Sequence, residues 1–367
     1  MQSPLDWQGT EDVMRIGIPR EVKPWEARVA LVPHAVAVLV QEGHEVFLEA
    51  GAGQGSGFHD EEYAVHGARI VPDAPTLFRS AQIIVKVKEP IGEEWGRLRA
   101  DHILFSYLHL AANRPLTEAL QRIGLVAVAF ETVIQNGALP LLAPMSGIAG
   151  RLAVQTGAQL LHVQSGGRGI LLGGLPGTER GHVVVIGAGE AGGNAVCVAA
   201  ALGARVTVFD KLRARQSAMM AIGPNVTALP AYEETIAAAV READLLIGAV
   251  LVAGARAPHV VTRPMVRAMH RGAVIVDIAI DQGGCVETMR ATDYGAPTYI
   301  EEGVIHFGVT NMPGAVPRTA SQALSAVLLP YVQVLATHGV DDPRLAGGLN
   351  VREGRITHEA VAAAMAS

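Results

Sequence analysis

The glycine-rich segment 182–192, HVVVIGAGEAG, constrains the fold more than any other part of this chain. An apolar run leads directly into three glycines with the spacing G-x-G-x-x-G, Gly187, Gly189 and Gly192, and a helix-forming stretch follows them. Glycines at this spacing make a tight turn, let backbone N–H groups approach a pyrophosphate, and allow a helix to pack closely on a strand. The N-terminus of that helix offers unpaired donors and the positive end of its dipole to the phosphates.

A second apolar segment, 205–210 with the sequence RVTVFD, ends in Asp210, which lies 18 residues after the last of these glycines. A carboxylate at about this distance binds the ribose hydroxyls of a dinucleotide. The order of strand, glycine turn, helix, strand and acid therefore predicts a dinucleotide site. A carboxylate repels the additional phosphate of NADP, so NAD is the expected cofactor, although the cations Lys211, Arg213 and Arg215 could soften this preference.

Short apolar runs alternate with helical stretches from Met14 onward, which predicts βαβ units and parallel sheets. Half of the chain is hydrophobic but only 4% is aromatic, a composition that suits buried parallel strands covered by alanine-rich helices. A chain of 367 residues is long enough for two domains. We therefore expect an α/β fold with two doubly wound parallel-sheet (Rossmann-like) domains and a cleft between them. Strands are predicted at 15–19, 44–49, 83–87, 103–108 and 126–130, and then at 183–186, 205–210, 244–250, 273–280 and 305–310.

Charge and cysteine content argue against several classes of protein. The net charge is −6 and no block of like charges is present, so a nucleic-acid partner is not expected. The two cysteines cannot form a disulfide framework or a cysteine zinc site, and there is no H-E-x-x-H motif, so no metal site is expected. No apolar run is predicted to span a membrane. Residues 1–13 lack the features of a signal peptide, so we interpret them as a disordered extension of a cytoplasmic protein.

Ionisable residues follow several of the predicted strands, which is where open α/β sheets bind ligands. Lys86 and Lys88 close one strand, His109 follows another, Asp281 follows a third, and Arg28 begins an apolar segment. Each has another interpretation: the arginine could pair with a nearby glutamate, the lysines could be solvated charges, and the histidine could be a core residue. Together they offer a carboxylate clamp, a carbonyl polariser and an acid/base pair, which dehydrogenation at an amino or hydroxy carbon requires.

Two further residues are expected to be structural. Asp277 lies inside an apolar strand and needs a partner there, because an unpaired buried charge is costly. Cys197 falls in the helix after the glycine turn, where we expect a small core residue.

Several long segments of the chain resemble the alanine dehydrogenase family. The resemblance extends from residue 14 to about residue 332. The segments that carry it are 14–23 (MRIGIPREVK), 28–30 (RVA), 86–90 (KVKEP), 108–113 (LHLAAN), 138–146 (ALPLLAPMS), 187–192, 247–251 (IGAVL), 276–284 (VDIAIDQGG) and 311–313 (NMP).

The resemblance implies a division of the chain and a set of roles. Residues 14–141 and 316–367 would form a substrate domain, and residues 142–315 an NAD-binding Rossmann domain. His109 and Asp281 would be the catalytic acid/base residues. Arg28 and Lys88 would bind the substrate, with Leu142 and Met145 over its methyl group. The implied cofactor contacts are Ser146, Gly187, Gly189, Glu190, Ala191, Gly192, Asp210, Val250, Leu251, Ile278, Arg290, Asn311 and Met312.

The activity that the resemblance implies is NAD-dependent oxidative deamination of L-alanine to pyruvate and ammonia, and the reverse reaction, in a hexamer. Three alternatives stay open: the soluble nucleotide-binding subunit of a transhydrogenase, a dehydrogenase for another small amino acid, and a catalytically weak NAD sensor. The first shares the opening segment 15–21, RIGIPRE. His109 and the segment 281–284, DQGG, favour the dehydrogenase.

The chain also departs from the family pattern near the expected cofactor. Gly147 stands where the family commonly has a glutamate, Glu190 occupies the variable position of the glycine turn, and segment 225–232 lacks an expected serine. These departures concern the affinity for the cofactor more than the chemistry.

Overall fold

The structure, a computed structural model, describes residues 13–250 and 258–366. Residues 1–12 of the predicted extension and Leu251, a predicted cofactor contact, lie outside the described residues. The described residues divide into two units: unit 1 lies within Met1–Pro144 and Gly314–Ser367, and unit 2 within Met145–Pro313.

The strands form two sheets, one in each unit. They are β1 Arg15–Ile18, β2 Glu45–Glu49, β3 Arg69–Val71, β4 Ile83–Val85, β5 Ile103–Ser106, β6 Val126–Ala129, β7 His182–Ile186, β8 Arg205–Asp210, β9 Val226–Pro230, β10 Leu245–Gly248, β11 Val274–Asp277, β12 Thr298–Glu301, β13 Val304–Phe307, β14 Leu349–Arg352 and β15 Arg355–Ile356.

The α-helices of the described residues connect and cover these strands. They are α1 Pro33–Gln41, α2 Asp60–Val65, α3 Ala74–Ser80, α4 Arg114–Ile123, α5 Ala143–Leu160, α6 Glu190–Ala201, α7 Arg213–Met220, α8 Glu233–Arg241, α9 Arg263–Arg267, α10 Pro317–Thr337 and α11 Glu359–Ala366.

The same strand order occurs in both units. In unit 1 the parallel strands run β3-β2-β1-β4-β5-β6, and β14 and β15 extend the sheet in antiparallel pairing. In unit 2 the parallel strands run β9-β8-β7-β10-β11-β13, and β12 pairs antiparallel with β13. Both orders are those of a doubly wound sheet. In such a sheet the order in which strands are added reverses beside the first strand, which is β1 in unit 1 and β7 in unit 2. The predicted fold class, two doubly wound parallel sheets with flanking helices, is confirmed.

Strand β7 shows why these segments fold as buried parallel strands. Its side chains alternate between two apolar clusters, with Val183 and Val185 in one and Val184 and Ile186 in the other. Both faces are covered along residues 183–186, so this stretch of the strand is apolar and does not alternate with polar residues. A run of this kind is stable only where other elements cover both faces of the strand.

Helix α4 shows how local sequence sets the ends of an element. The side chain of Asn113 accepts a hydrogen bond from the N–H of Leu116 at 3.2 Å, and a proline occupies the first turn. Gly124 ends the helix in the left-handed conformation at φ 80°. An N-cap side chain and a left-handed glycine each satisfy backbone groups that the helix leaves unpaired.

Helix α10 corrects one expectation from the sequence. It is long and apolar enough to cross a membrane, judged by length and composition only. However, 56% of its most apolar window is buried inside the fold, as in the core helix of a globular unit. The helix contacts α1 and the 3₁₀ turn Gln54–Ser56, both in unit 1.

Candidate functional site

Four adjacent strands of the unit 1 sheet, β1, β4, β5 and β6, carry ionisable residues in the loops at their carboxyl ends. Arg28 follows β1, Lys88 follows β4, His109 follows β5 and Glu131 follows β6. The strands are parallel, so their carboxyl ends meet at one edge of the sheet. This edge is the usual ligand-binding edge of a doubly wound fold.

Arg28 is held by a glutamate two residues before it in the chain. Its Nε lies 2.7 Å from Glu26 Oε1 and its Nη2 lies 2.5 Å from Glu26 Oε2, which is a bidentate pair. Only 2% of Arg28 is exposed. Burial alone would lower the pKa of the guanidinium, but the hydrogen bonds and charge of Glu26 outweigh it and raise that pKa. The bidentate pair fixes the plane of the guanidinium, as rigid recognition of a second carboxylate requires.

The two lysines after β4 are both buried, so the interpretation of them as solvated charges is wrong. Lys86 Nζ lies 3.3 Å from Glu21 Oε2 and 3.1 Å from Glu94 Oε1. The two carboxylates raise the pKa of Lys86 although burial opposes them. Lys86 is therefore committed to this internal cluster. Lys88 remains the candidate for contact with a substrate.

Glu21 also binds the backbone at Lys88. Its carboxylate accepts hydrogen bonds from the N–H groups of Val87 at 2.6 Å and Lys88 at 3.3 Å. Burial raises the pKa of this carboxyl group in spite of the nearby ammonium of Lys86. Glu21 thus connects the loop after β1 to the loop after β4.

His109 is exposed, so its interpretation as a core histidine is wrong. Its backbone is left-handed, with φ 50° and ψ 40°. The His109 N–H donates to Glu131 Oε1 at 2.6 Å. Its ring stacks on Tyr107 with a centroid distance of 6.2 Å and an interplanar angle of 12°. The Tyr107 hydroxyl donates to the carbonyl of Leu141 at 2.6 Å, and burial raises the pKa of that phenol.

The glycine turn in unit 2 has three different environments at its three glycines. Gly187 has φ 97°, which favours glycine, and a Cβ there would lie 2.6 Å from the carbonyl of Ala249. At Gly192 a Cβ would lie 1.8 Å from the carbonyl of Gly187. At Gly189 the nearest atom to a Cβ is Arg215 Nη1, at 3.9 Å. Two glycines are therefore required by internal packing, and the third leaves the space beside it open.

This arrangement fits a dinucleotide. The open side of Gly189 and the start of α6 at Glu190 and Ala191 offer backbone N–H groups and a helix N-terminus to a phosphate. The Glu190 side chain is engaged locally, because its Oε1 accepts from Asn194 Nδ2 at 3.0 Å.

Two of the three sequence departures near the expected cofactor, Gly147 and Glu190, are neighbours in space. A Cβ on Gly147 would lie 3.2 Å from Asn194 Nδ2 and 3.5 Å from Glu190 Oε1. One turn further along α5, a Cβ on Gly150 would lie 2.0 Å from the carbonyl of Ala191. Helix α5 thus approaches α6 through glycines, and a larger residue at 147 would compete with the Glu190–Asn194 pair.

Asp210 ends β8 and joins that strand to the glycine turn. Its Oδ2 accepts from the N–H of Ala188 and its Oδ1 from the N–H of Leu212, both at 2.8 Å. Arg215 Nη1 lies 3.6 Å from Oδ2. The carboxylate is therefore fixed at the carboxyl edge of the sheet, and its predicted contact with ribose stays a prediction.

The remaining predicted residues of unit 2 follow other strands of the same sheet or begin α5. Asp281 is exposed in the 3₁₀ turn Ile278–Gln282 that follows β11. The predicted strand 273–280 is too long, because β11 ends at Asp277 and this turn begins there. Ser146 lies in the first turn of α5 beside the buried Met145, whereas Leu142 precedes that helix. Val250 follows β10, Asn311 and Met312 follow β13, and the Arg290 guanidinium lies 4.1 Å from the ring centre of Tyr299.

Asp277 has the buried partners that its position requires. Its oxygens accept from the N–H groups of Ala279 at 2.9 Å, Cys285 at 2.7 Å and Val286 at 3.1 Å. It is fully buried and shapes the loop that carries Asp281. Cys197, in contrast, is exposed, so the expectation that it is a core residue is wrong.

Comparison with known proteins identifies the family. Residues 17–149 match the family described as Alanine dehydrogenase/PNT, N-terminal domain, and residues 153–359 match Alanine dehydrogenase/PNT, C-terminal domain. The chain belongs to the alanine dehydrogenase/PNT family. The resemblance inferred from the sequence motifs is thereby confirmed.

Relatives in this family are similar over nearly the whole chain. The alanine dehydrogenase of Bacillus subtilis is 49% identical over 95% of this chain and 94% of its own, and that of Halomonas elongata is 48% identical over 96% of each. A solved structure of an L-alanine dehydrogenase superposes with a TM-score of 0.92 at 51% identity, covering 96% of this chain and 99% of the other. A transhydrogenase from Sinorhizobium meliloti is more distant, with a TM-score of 0.81 at 26% identity over 94% of this chain and 99% of the other.

Three residues at this edge of unit 1 were not predicted as site residues from the sequence: Glu21, which lies within the family segment 14–23, Tyr107 and Glu131. Glu21 and Glu131 each follow a strand by a few residues, as the predicted candidates do. Applying the strand-end rule to every carboxylate would have selected them. Their backbone hydrogen bonds, however, join loops that are far apart in sequence, so no local pattern indicates what they bind. Among the described residues, no group of three or more His, Cys, Asp or Glu is arranged to hold a metal ion.

Proposed function

We propose that this protein is an NAD-dependent L-alanine dehydrogenase, which converts L-alanine to pyruvate and ammonia and catalyses the reverse reductive amination. Relatives that share about half of its residues carry the name alanine dehydrogenase. The observation that supports the chemistry is the series of groups at one edge of the unit 1 sheet: Arg28, Lys88 and His109 follow three adjacent parallel strands.

Each of these groups suits a part of the substrate. Arg28, oriented by Glu26, would bind the carboxylate in a charge-assisted pair. Lys88 would polarise the oxygen that becomes the carbonyl of pyruvate. His109, exposed at the end of its strand, would activate the water that attacks Cα and then carry the proton as ammonia departs. Asp281 would stabilise the positive charge that develops at the substrate nitrogen.

Unit 2 would hold the cofactor, which accepts a hydride from Cα when bound. The open side of Gly189 and the start of α6 suit its pyrophosphate, and Asp210 suits its adenosine ribose. The other proposed contacts are Ser146, Gly187, Glu190, Ala191, Gly192, Val250, Leu251, Ile278, Arg290, Asn311 and Met312.

The carboxylate of Asp210 supports NAD over NADP, because it would repel a 2′-phosphate. Arg215 lies 3.6 Å from that carboxylate and offsets part of the repulsion. We expect turnover with NADH to exceed turnover with NADPH when each is measured with pyruvate and ammonium. Equal turnover would show that Arg215 and its neighbours recognise the additional phosphate.

The direct test of the activity follows the absorbance of NADH after mixing the protein with pyruvate and ammonium. We expect NADH to be oxidised only when both are present. Oxidation with a different 2-oxo acid but not with pyruvate would redirect the substrate assignment. Hydride transfer between NADH and an NADP analogue without pyruvate would favour the transhydrogenase alternative instead.

Selectivity for alanine would come from Leu142 and Met145 over the substrate methyl group. An apolar pocket distinguishes one methylene by only about 1–3 kcal/mol. We therefore expect 2-aminobutyrate to be a slow substrate, at roughly a tenth of the alanine rate or less. Comparison of kcat/KM for the two amino acids measures this selectivity.

The domain roles and the assembly complete the proposal. Residues 14–141 and 316–367 would be the substrate domain and residues 142–315 the NAD-binding domain. The family resemblance implies a hexamer, which light scattering of the purified protein tests. A cytoplasmic location agrees with the two free cysteines, Cys197 and Cys285.

A further inference from the structure

The loop that carries His109 has a conformation that its own sequence does not favour. Histidine at φ 50° and ψ 40° is in the left-handed region, which is uncommon for residues with a side chain. Any residue other than glycine needs support from its surroundings to remain there. Whatever provides that support also determines where the imidazole lies.

Glu131 provides it from the 3₁₀ turn Phe130–Thr132, which follows the neighbouring strand β6. Its Oε1 accepts the His109 N–H at 2.6 Å, and the Leu108 N–H lies 3.3 Å from both carboxylate oxygens. One carboxylate therefore binds two successive N–H groups on the residues where the chain turns. Hydrogen bonds from amides to a charged acceptor are stronger than those between neutral groups.

The ring of His109 has a second support, because it stacks on Tyr107. The Tyr107 hydroxyl is in turn fixed to the carbonyl of Leu141 at 2.6 Å. Tyr107 limits the tilt of the imidazole, and Glu131 sets the backbone from which it projects. Neither contact occupies the imidazole nitrogens in the described hydrogen bonds.

We propose that Glu131 is a positioning residue for His109: it holds the left-handed backbone that directs the imidazole to the reacting atoms. This inference rests on the proposed dehydrogenase function. Displacement of a catalytic group by about 1 Å can reduce the rate by about 10²-fold. Loss of Glu131 should therefore lower kcat and leave the binding of NADH nearly unchanged.

Glu21 is the matched control, because it makes the same kind of contact one loop away. Its carboxylate binds the N–H groups of Val87 and Lys88, so it acts on the loop of Lys88. Both glutamates are acids that follow a parallel strand and bind two successive amides on an adjacent loop. They differ in the functional residue that they support.

The test is a double-mutant cycle with Glu131→Ala and His109→Ala, using reductive amination under single-turnover conditions so that slow variants remain measurable. We expect Glu131→Ala to lower the rate constant about 10–100-fold in the wild-type background and to have no further effect once His109 is absent. Glu21→Ala should lower the rate in both backgrounds. An equal loss from Glu131→Ala in both backgrounds would overturn the proposal, since Glu131 would then act without His109.

Two measurements keep the outcome decisive. Glu131→Gln retains an acceptor oxygen, so its rate constant should lie between those of wild type and Glu131→Ala. If the alanine variant does not fold, the double-mutant cycle is made with Glu131→Gln instead. Hydrogen exchange of the Leu108 and His109 N–H groups, which Glu131 binds, should increase in both Glu131 variants and stay unchanged in Glu21→Ala. If wild type oxidises no NADH with any 2-oxo acid, the proposed function fails, and the exchange result alone decides whether Glu131 supports this loop.

Discussion

Units 1 and 2 arrange six parallel strands in the same order, yet the loops beside their switch points are built differently. In unit 1 these loops are held by buried charges: Glu26 binds Arg28, and Glu21 binds Lys86 and the N–H groups of Val87 and Lys88. In unit 2 the corresponding turn depends chiefly on backbone packing, with Gly192 against the carbonyl of Gly187, and one carboxylate, that of Asp210, binds the N–H of Ala188.

The difference follows from what each edge is proposed to bind. A small substrate with a carboxylate and a carbonyl is recognised by side-chain charges, and buried charges need partners to stay in place. A pyrophosphate is recognised by backbone N–H groups, which can approach it only where side chains are missing. One topology therefore supports two kinds of recognition, and substitutions in the two units should have different signatures.

The largest effect is expected at His109. Replacement by alanine should lower turnover by roughly 10²–10⁴-fold, because general acid/base catalysis contributes about that much. NADH binding, measured by fluorescence titration, should change little, since the proposed cofactor contacts lie in unit 2. An alanine variant with near-normal turnover would remove His109 from the mechanism.

Breaking the buried pair in unit 1 should have the next largest effect. Glu26→Gln removes the carboxylate that pairs with the buried guanidinium of Arg28, which should cost about 3–5 kcal/mol of stability. Unfolding by urea measures this loss, and the KM for alanine should rise in the same variant. The control is Glu93→Gln, which removes the exposed i,i+4 pair with Arg97 and should cost less than about 1 kcal/mol.

A pair of glycine substitutions tests the backbone packing of the glycine turn in unit 2. Gly192→Ala places a methyl group 1.8 Å from the carbonyl of Gly187 and should lower stability by about 1–3 kcal/mol or more. Gly189→Ala meets no atom closer than 3.9 Å, so its thermal unfolding should match wild type. Its affinity for NADH should nevertheless fall, because the methyl group enters the space proposed for the phosphate. Unchanged affinity in Gly189→Ala would mean that the pyrophosphate lies elsewhere.

A further comparison concerns the pH dependence of stability and Asp277. Burial raises the pKa of this carboxyl group from 3.8 to about 6, although backbone N–H groups of Cys285, Val286 and Ala279 favour its charged form. The folded state then binds the proton more tightly than the unfolded state. The resulting stabilisation is complete below about pH 4 and is lost as the pH rises through about 6, a change of roughly 3 kcal/mol.

Comparison with Asp277→Asn isolates this contribution. The variant should be less stable overall, because an amide cannot accept all of the hydrogen bonds that the carboxylate accepts. Its stability should change less than that of wild type between pH 4 and pH 6.5. Parallel pH dependence of the two proteins would assign the effect to other groups.

The strands and helices were largely predictable from the sequence because burial and helix capping leave local patterns of residues. A stretch such as residues 183–186 of β7, buried on both faces, is apolar along its length, and a helix such as α4 carries its own capping residues. Strands β3, β9, β12, β14 and β15 were not predicted. β15 is only two residues long and β12 alternates between exposed and half-buried residues, so neither forms a continuous apolar run.

The sequence by itself determined the two doubly wound units, the family and the residue types available for chemistry, because these depend on local periodicity and on motifs of contiguous residues. Only the tertiary structure decided that Lys86 is committed to Glu21 and Glu94, that Arg28 is paired with Glu26, and that Glu131 binds the backbone at His109. The contacts of Lys86 and Glu131 depend on which loops become neighbours, and the pairing of Arg28 with Glu26, one of two interpretations open from the sequence, is decided by burial. The role of a charged residue is determined by its burial and by its contacts in the fold. The local sequence does not predict either of them.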